Sequence, residues 1–333
     1  MLGIDVSKEQ LACALFDRSA ERFRWERAVP NTAAGVRTLL RETPPEVPWV
    51  LEPTGRYGLT AARLARDAGR TVLLAPPRKA KAYLQSLGTR AKTDRLDARG
   101  LALFAATRTK AEALRPYPLK SEDVERLDQL LAARRGVATA LTSLQQRVTE
   151  LPHAASVLQE AVADLQARRA ELDRQIAALT GKDSAFPVAT RLRKVPGVGP
   201  LTAAAAASRL TARDFADADA FVAFIGMDVG VIKSGKRAGE RGLTKQGDAD
   251  LRRLFYLAAA SNVRSSTSPF RKQYERELAK GLSKTAALNA VARKIARVCW
   301  SLVKHDAEYD PLRVHAPAPR TRRSADLEPE KGA

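Results

Sequence analysis

The stretch Met1–Asp17, MLGIDVSKEQLACALFD, decides the fold of the N-terminal part of this chain. Apolar residues alternate with small or polar ones from Leu2 to Val6, and again from Leu11. A period of two predicts a strand, a tight turn and a second strand. Asp5 lies inside the first strand, where an unpaired carboxylate is unfavourable. It is therefore either a hydrogen-bonded structural residue or a ligand for a divalent cation.

Strands and helices then alternate with short turns. We expect a helix from Thr32 to Arg41, a strand from Trp49 to Leu51, a helix from about Tyr57 to Ala68 and a strand from Thr71 to Ala75. This order predicts an α/β layered domain. Functional groups in such sheets gather at the carboxyl ends of strands, and Glu52 lies at such an end.

A second acidic motif occurs in KTDRLDARGLALFA, residues 92–105. Asp94 and Asp97 are three residues apart at the start of an apolar helical run, so they share one helix face. Carboxylates in a first helical turn are common, and flanking Lys92, Arg95 and Arg99 can compensate them. The motif is therefore either a solvated helix start or part of a site for a hard cation such as Mg²⁺.

The composition predicts a globular protein that binds a polyanion. Hydrophobic residues make up 45% of the 333 residues, the net charge is +20 and the pI is about 10.4. Such an excess of positive charge favours a nucleic-acid partner over an anionic membrane. The N-terminus has no secretory signal, and the two distant cysteines have no metal-type spacing, so we expect a reducing cytoplasm and no zinc site.

Residues 121–180 carry apolar residues at helical 3–4 spacing, interrupted at Pro152. This predicts two long helices, which form either an antiparallel hairpin or an intermolecular coiled coil. The narrow apolar seam favours dimerisation.

The segment RLRKVPGVGPLTAAAAASRL, residues 191–210, predicts a helix–hairpin–helix element. Gly197 and Gly199 allow close backbone approach, and amides opening the second helix can face a phosphate. A tight turn without a ligand is the alternative. Arg193 and Lys194, just before the turn, favour DNA binding.

A Gly-rich basic segment follows further along the chain. It contains Ser234 and reads as a flexible loop leading into a helix. Because no His is near Ser234, a local Ser-His-Asp triad is excluded, and the residue is either an ordinary loop serine or a nucleophile activated by cations or metal. Its predicted phosphate-binding cations are Lys233, Lys236, Arg237, Arg241 and Lys245.

The strings GIDVSK, EPTG and KTDRLDA resemble the N-terminal domain of the DEDD transposases of insertion sequences that are guided by a bridge RNA. The resemblance implies a RuvC-like domain of the ribonuclease H-like fold. It further implies that Asp5, Glu52, Asp94 and Asp97 bind Mg²⁺ and are catalytic.

Ser234-Gly235 and the string TKQG at 244–247 resemble landmarks of the same family's C-terminal transposase domain. The resemblance implies that Ser234 attacks a DNA phosphodiester and forms a phosphoserine intermediate. Asp248 stands where the family usually has Asn. The family also implies donor and target DNA, a bridge RNA, catalysis across a homodimer or homotetramer, and a bacterial cytoplasmic protein associated with the nucleoid.

These observations predict four regions: a RuvC-like catalytic domain at 1–115, a coiled-coil arm at 116–183, a mostly α-helical transposase domain at 184–310 and a disordered tail at 311–333. Two further functions remain open. One is a non-enzymatic nucleic-acid scaffold with structural carboxylates, and the other is a hydrolytic junction nuclease that uses water as the nucleophile.

Overall fold

The structure is a computed structural model that describes residues 1–52, 55–86, 94–107, 114–229 and 242–315. Within these ranges the side chains of residues 55, 56, 77, 78, 81, 84, 94, 95 and 315 are not described. The chain forms two compact units, Met1–Lys120 and Ser121–Ala333. None of the described helices is long and apolar enough to span a lipid bilayer.

The first unit contains a mixed sheet. The strands in its described part are β1 (Leu2–Val6), β2 (Gln10–Asp17), β3 (Arg22–Pro30), β4 (Trp49–Leu51), β5 (Val72–Leu74) and β6 (Arg115–Pro116). They lie in the order β3-β2-β1-β4-β5-β6. The β1–β4 and β4–β5 pairs are parallel and the other pairs are antiparallel.

Helices cover both faces of this sheet. They are α1 (Ala33–Glu42), α2 (Leu59–Asp67), α3 (Pro77–Ser86) and α4 (Asp94–Ala106). Side chains alternate between the faces of a strand. One face, with Ile4 and Leu51, packs on α1 and α2, and the other, with Val50, packs on α3 and α4.

The predicted α/β architecture is confirmed, and Thr32 caps α1 by accepting a hydrogen bond from the Gly35 amide at 3.3 Å. Three elements of this unit were not predicted, and one is the two-residue strand β6, which is too short to give a sequence pattern. Strand β3 lies at the sheet edge and carries arginines among its apolar residues, so it has no clean apolar alternation. Helix α3 starts at Pro77, which sequence reasoning took only as the end of a strand.

The second unit is helical in its described part. Its helices are α5 (Glu122–Glu150), α6 (Ala155–Leu179), α7 (Val188–Leu192), α8 (Pro200–Ala212), α9 (Ala218–Phe224), α10 (Ala249–Arg264), α11 (Pro269–Ala279) and α12 (Lys284–Lys304). Its core surrounds the alanine-rich α8, where Ala203–Ala207 are buried and let neighbouring helices approach closely.

Helices α5 and α6 pack along each other and are joined by the short turn Pro152–Ala154. Arg134, which interrupts the apolar seam, donates a hydrogen bond to Asp173 across the pair at 3.0 Å. The two helices therefore form an antiparallel hairpin within one chain. Leu127 anchors the base of the hairpin in the core, whereas Val157 near the tip is 70% exposed. The intermolecular coiled coil stays a prediction.

The second unit includes residues beyond its predicted boundary at residue 310. Pro311–His315 form a 3-10 turn, and Val314 is buried in the core of the second unit. Residues 311–315 were assigned to the tail because the local composition is polar, and this assignment was wrong. Residues 316–333 lie outside the described residues.

Candidate active site

Two carboxylates lie at the ends of neighbouring parallel strands. Asp5 is the last residue but one of β1, and Glu52 directly follows β4. The strands pair in a register that aligns Gly3 with Val50 and Ile4 with Leu51. One further step of this register aligns Asp5 with Glu52. Both side chains are half-buried.

Asp5 and Glu52 project from the sheet face that α4 covers. Gly3 and Val50, two residues earlier on each strand, mark that face. A Cβ built on Gly3 would lie 2.2 Å from the Ala98 carbonyl oxygen, so glycine allows the helix to approach the strand. Residues two apart on a strand share a face, and the two carboxylates therefore lie on the same side of the sheet as α4.

The direction of α4 places its N-terminus near the carboxyl end of β1, where Asp5 lies. Phe104, near the end of α4, belongs to the cluster on which Met1 packs, at the start of β1. Ala98 packs instead with Ala12, which pairs with Asp5. The helix thus runs antiparallel to β1 and begins near the carboxyl end of that strand.

Two more of the predicted ligands belong to this helix. Asp94 is its first residue, and Asp97 lies in its first turn with a half-buried side chain. The Asp94 side chain is not described. The carboxyl ends of β1 and β4 carry positions 5 and 52, and the start of α4, on the same face of the sheet, carries positions 94 and 97.

The donor chemistry of these positions fits a hard divalent cation, because all four supply oxygen ligands. Among the residues that the structure describes, no three His, Cys, Asp or Glu side chains are close enough together to hold an ion. This finding covers Asp5, Glu52 and Asp97, but not the side chain of Asp94. The fit therefore rests on donor type and strand register.

The basic residues beside Asp94 and Asp97 are arranged differently from the prediction where they are visible. Arg99 donates to Glu26 of β3 and stacks over the Phe23 ring at 4.3 Å. It therefore links α4 to the edge strand and is engaged away from the acidic pair. Lys92 and the Arg95 side chain lie outside the described residues.

The Gly-rich basic segment begins and ends at a short stem in the second unit. Val229 and Leu243 form an antiparallel bridge, and the Thr244 amide donates to the Asp228 carbonyl at 3.0 Å. The Thr244 hydroxyl also donates to the Asp228 carboxylate. Lys245 is exposed and adopts a positive φ of 54°. The predicted residues Lys233, Ser234, Lys236, Arg237 and Arg241 lie outside the described residues.

A half-buried charge network anchors the helix that follows this stem. Asp248 caps α10 by accepting from the Leu251 amide at 3.0 Å, and its other oxygen accepts from Arg209 at 2.8 Å. Arg209 also pairs with Asp128 of α5, which accepts from Ser208 at 2.6 Å. Burial acts to lower the pKa of Arg209, but the two carboxylates outweigh it and raise that pKa.

A second pair makes the same connection, because Arg135 of α5 pairs with Asp250 in the first turn of α10. The base of the helical hairpin and the exit of the basic segment are therefore held together by two sets of opposite charges. Sequence reasoning missed this network, since its members lie far apart in the chain. The one sequence feature that pointed to the network was Asp248, which stands where the family that the sequence resembles usually has Asn.

The predicted helix–hairpin–helix turn packs against α10. Gly197 has a φ of 76°, and a Cβ there would lie 2.2 Å from the Asn262 side-chain nitrogen, which donates to the Pro196 carbonyl at 2.7 Å. By contrast, a Cβ on Gly199, the N-cap of α8, would meet nothing within 4 Å. The close approach that Gly197 permits is thus to a neighbouring helix.

The two predicted cations before this turn differ. Arg193 is exposed. Lys194 donates to Glu308 at 2.6 Å, and the bond lowers the pKa of that carboxyl. Any phosphate that Lys194 binds must compete with Glu308.

Comparison with known proteins identifies the class of protein to which this chain is similar. A sequence model of the IS110 DEDD transposases matches residues 2–176, and a model of the IS116/IS110/IS902 transposase family matches residues 189–275. A probable family 20 transposase of Pseudomonas aeruginosa is 27% identical over 348 aligned positions, which cover 93% of this chain and 98% of that protein. Thermus thermophilus RuvC, solved in complex with a Holliday junction substrate, is 18% identical with a TM-score of 0.29, over 35% of this chain and 98% of that one.

The two matched regions fall in both units, and these two models and the Pseudomonas aeruginosa relative are all transposases. The chain is therefore a DNA transposase. It belongs to the IS110 family of DEDD transposases, the enzymes that move insertion sequences.

Proposed function

We propose that this transposase cuts and rejoins the DNA strands of its insertion sequence with four carboxylates and one serine. The carboxylates are those of Asp5, Glu52, Asp94 and Asp97, and the serine is Ser234. The observation that carries the proposal is the β1–β4 register, which aligns Asp5 with Glu52 on the face where α4 begins. The sheet is proposed to be of the ribonuclease H-like, RuvC-like type.

The cation proposed for this site is Mg²⁺. Asp5 and Glu52 would hold it from the sheet, and Asp94 and Asp97 from the start of α4. A bound divalent cation stabilises negative charge on phosphoryl oxygens during displacement at phosphorus. The protein would contribute the placement of the oxygen ligands, and the strand register and the close approach of Ala98 to Gly3 support this proposal.

Ser234 is the proposed nucleophile. Its hydroxyl oxygen bonds to phosphorus of a DNA phosphodiester as its proton is lost, and the bond from phosphorus to one deoxyribose oxygen breaks. The leaving oxygen takes up a proton, and the serine holds the DNA as a phosphodiester. Attack by a DNA hydroxyl reverses the step and rejoins strands without an external energy source.

Nucleic acid is proposed to contact basic residues in each of the two units. Arg193 and Lys245 are exposed in the structure and available to phosphates. Their proposed partners in binding are Lys92, Arg95, Lys194, Gly197, Gly199, Lys233, Lys236, Arg237 and Arg241. Such contacts fix position on the backbone and carry no sequence information, so target choice is assigned to pairing with a bridge RNA.

The proposed assembly is a homodimer or homotetramer that works on the nucleoid in the bacterial cytoplasm. The α5–α6 hairpin supports this proposal, because its tip exposes Leu151 and Val157 to 47% and 70%. Exposed apolar side chains at the end of a long hairpin are suited to contact with another copy.

The experiment is a strand-transfer assay with the full-length protein and DNA that carries the element ends. We expect Asp5→Asn, Glu52→Gln and Asp97→Asn to abolish cleavage while DNA binding is retained. Asp67→Asn, which changes an exposed carboxylate at the end of α2, is the matched control and should cut normally. Normal cutting by Asp5→Asn or Glu52→Gln would refute the carboxylate site.

The serine is tested separately on a denaturing gel. The wild-type protein should form a covalent DNA adduct that Ser234→Ala lacks, whereas Ser261→Ala, an exposed serine of α10, should keep it. Cutting by Ser234→Ala without an adduct would instead establish a hydrolytic nuclease. Binding without cleavage in any preparation would favour the scaffold function.

A further inference from the structure

Four cations gather where α11 and α12 pack together in the second unit. Arg293 and Arg297 lie one turn apart on α12, Lys294 is next to Arg293, and Arg276 comes from α11. None of them is among the residues that sequence reasoning assigned to nucleic acid. We refer to these four residues as the α12 cationic cluster.

Acidic residues balance this cluster only in part. Arg297 donates to Asp219 of α9 at 2.7 Å. Glu277 also lies near Arg293, but its carboxylate already accepts from Lys280 at 3.1 Å and from Gln273. Within the part of the chain that the structure describes, Arg293, Lys294, Arg297 and Lys280 thus bring four positive charges to the two carboxylates of Asp219 and Glu277.

The cations destabilise one another in the folded chain. Arg293 and Lys294 are half-buried, and burial is the main cause of the lowered pKa of each. Repulsion is the next cause, from Arg297 on both residues and from Arg276 on Lys294. This is the opposite of Arg209, whose carboxylate partners raise its pKa.

The Arg293 Nε–H is also buried without a hydrogen-bond partner among the described residues. A buried donor without an acceptor is unfavourable, and it is more so beside other positive charges. An anion with several oxygen acceptors, bound at the accessible ends of these side chains, would offset the repulsion between the cations. Phosphates do so well, because guanidinium groups donate to two phosphate oxygens together.

We propose that the α12 cationic cluster binds the phosphodiester backbone of duplex DNA. A nucleic-acid backbone fits better than a single small anion, since the charges extend over a helical turn of α12 and onto α11. DNA is the polyanion because the chain is a transposase. This choice does not depend on the proposed roles of the carboxylates or of Ser234.

The helix that carries most of the cluster is anchored in the core of the second unit. Ile295 and Cys299, on the opposite side of α12, are fully buried in the core of the second unit. Contacts from this helix to phosphates would position DNA without reading its sequence.

The test compares variants of the full-length protein by fluorescence anisotropy with a random-sequence DNA duplex at several KCl concentrations. Arg293→Gln/Lys294→Gln should weaken binding about tenfold at low salt. It should also reduce the slope of log affinity against log [KCl] by about two, since each lost phosphate contact removes about 0.9. Lys284→Gln, an exposed cation at the start of the same helix, is the charge control and should leave the slope nearly unchanged.

Thermal unfolding without DNA separates binding from folding. Because the cluster charges repel each other, Arg293→Gln/Lys294→Gln should keep or raise the melting temperature while binding falls. If the double variant is less stable, Lys294→Gln alone is measured, with an expected slope reduction of about one. An unchanged slope in these variants would overturn the proposal.

A parallel titration with a single-stranded RNA of the same length tests the choice of DNA. Loss of RNA affinity with unchanged DNA affinity would also overturn the proposal. Asp5→Asn distinguishes this failure from failure of the proposed function, because that variant should bind DNA with the wild-type salt slope and fail only to cut.

Discussion

The two regions that carry the proposed chemistry are held in place by different forces. In the first unit, backbone pairing of β1 with β4 aligns Asp5 and Glu52, and a glycine lets α4 approach. In the second unit, α10, which follows the stem of the Ser234 segment, is tied to α5 by the half-buried charges of Arg209 and its partners. Placement by backbone depends on steric fit, whereas placement by charge depends on keeping every member of the network.

This difference can be measured because each unit has its own buried cysteine. Cys13 lies in β2 and Cys299 in α12, and burial raises the pKa of both thiols to about 12. The reactive thiolate is therefore scarce at neutral pH in the folded chain. Labelling of Cys13 then reports opening of the first unit, and labelling of Cys299 reports opening of the second.

The largest effect is expected from removal of Arg209. Without its guanidinium, the carboxylates of Asp128 and Asp248 face each other in a poorly solvated site. Breaking a buried ion pair by removing one partner costs roughly 3–5 kcal/mol. We expect Arg209→Met to lower the free energy of unfolding of the second unit by about 3 kcal/mol and to speed labelling of Cys299.

Arg209→Met should leave the labelling rate of Cys13 unchanged. The double change Asp128→Asn/Asp248→Asn in the Arg209→Met background removes the two repelling charges and should restore part of the stability. Equal acceleration of both cysteines, or no rescue by the double change, would contradict placement by charge.

The next largest effect is expected at Gly3. A Cβ at this position meets backbone atoms of α4, at 2.2 Å from the Ala98 oxygen and 2.5 Å from the Ala102 nitrogen, so the helix must move. We expect Gly3→Ala to destabilise the first unit by about 1–3 kcal/mol, to speed labelling of Cys13 and to reduce strand cleavage.

Gly136→Ala is the matched control. Gly136 lies within α5, where a Cβ would meet nothing within 4 Å. Since alanine favours helix over glycine, this change should stabilise the second unit by roughly 0.5–1 kcal/mol. A Gly3→Ala protein with normal Cys13 labelling and normal cleavage would show that the tight approach of α4 does not position the carboxylates.

The sequence predicted the region of Asp5 and Glu52, which backbone pairing positions, better than the region around Arg209, which ion pairs position. Alternating apolar residues identified β1 and β2, and turn residues put Glu52 at a strand end, because these signals are local. The register that aligns Asp5 with Glu52 is not local, and it became visible only in the sheet. Strand β3 was missed because its charges obscure the pattern of an edge strand.

The contacts of the charged side chains were the least predictable part. Arg209 lies 81 residues from Asp128 and 39 from Asp248, and Lys194 lies 114 residues from Glu308. Nothing in the local sequence distinguishes such a cation from one that is free to bind phosphate. The family resemblance supplied the proposed role of Ser234, which no local pattern would have given.

A smaller effect is expected at Asp248, where one side chain has two separable roles. Asn keeps an oxygen that caps α10 but loses the charge that pairs with Arg209, whereas Ala loses both. We expect Asp248→Asn to cost about 1 kcal/mol and Asp248→Ala about 1 kcal/mol more, measured by urea unfolding. Because the family usually has Asn here, Asp248→Asn should retain strand cleavage, and its loss would assign the carboxylate a role beyond the charge network.

The smallest effect is expected at the exposed pair of Lys194 with Glu308. The hydrogen bond from Lys194 is the main cause of the lowered pKa of Glu308, and the charge of Arg191 adds to it. A carboxyl with a lowered folded-state pKa stabilises the fold above its ordinary value of 4.5, and this contribution is lost as the pH falls below that value. The melting temperature of Glu308→Gln should therefore be slightly below wild type at neutral pH and approach it in acid. A difference that stays constant across this pH range would show that Glu308 acts by packing, and Lys194 would then be free to bind phosphate as the sequence predicted.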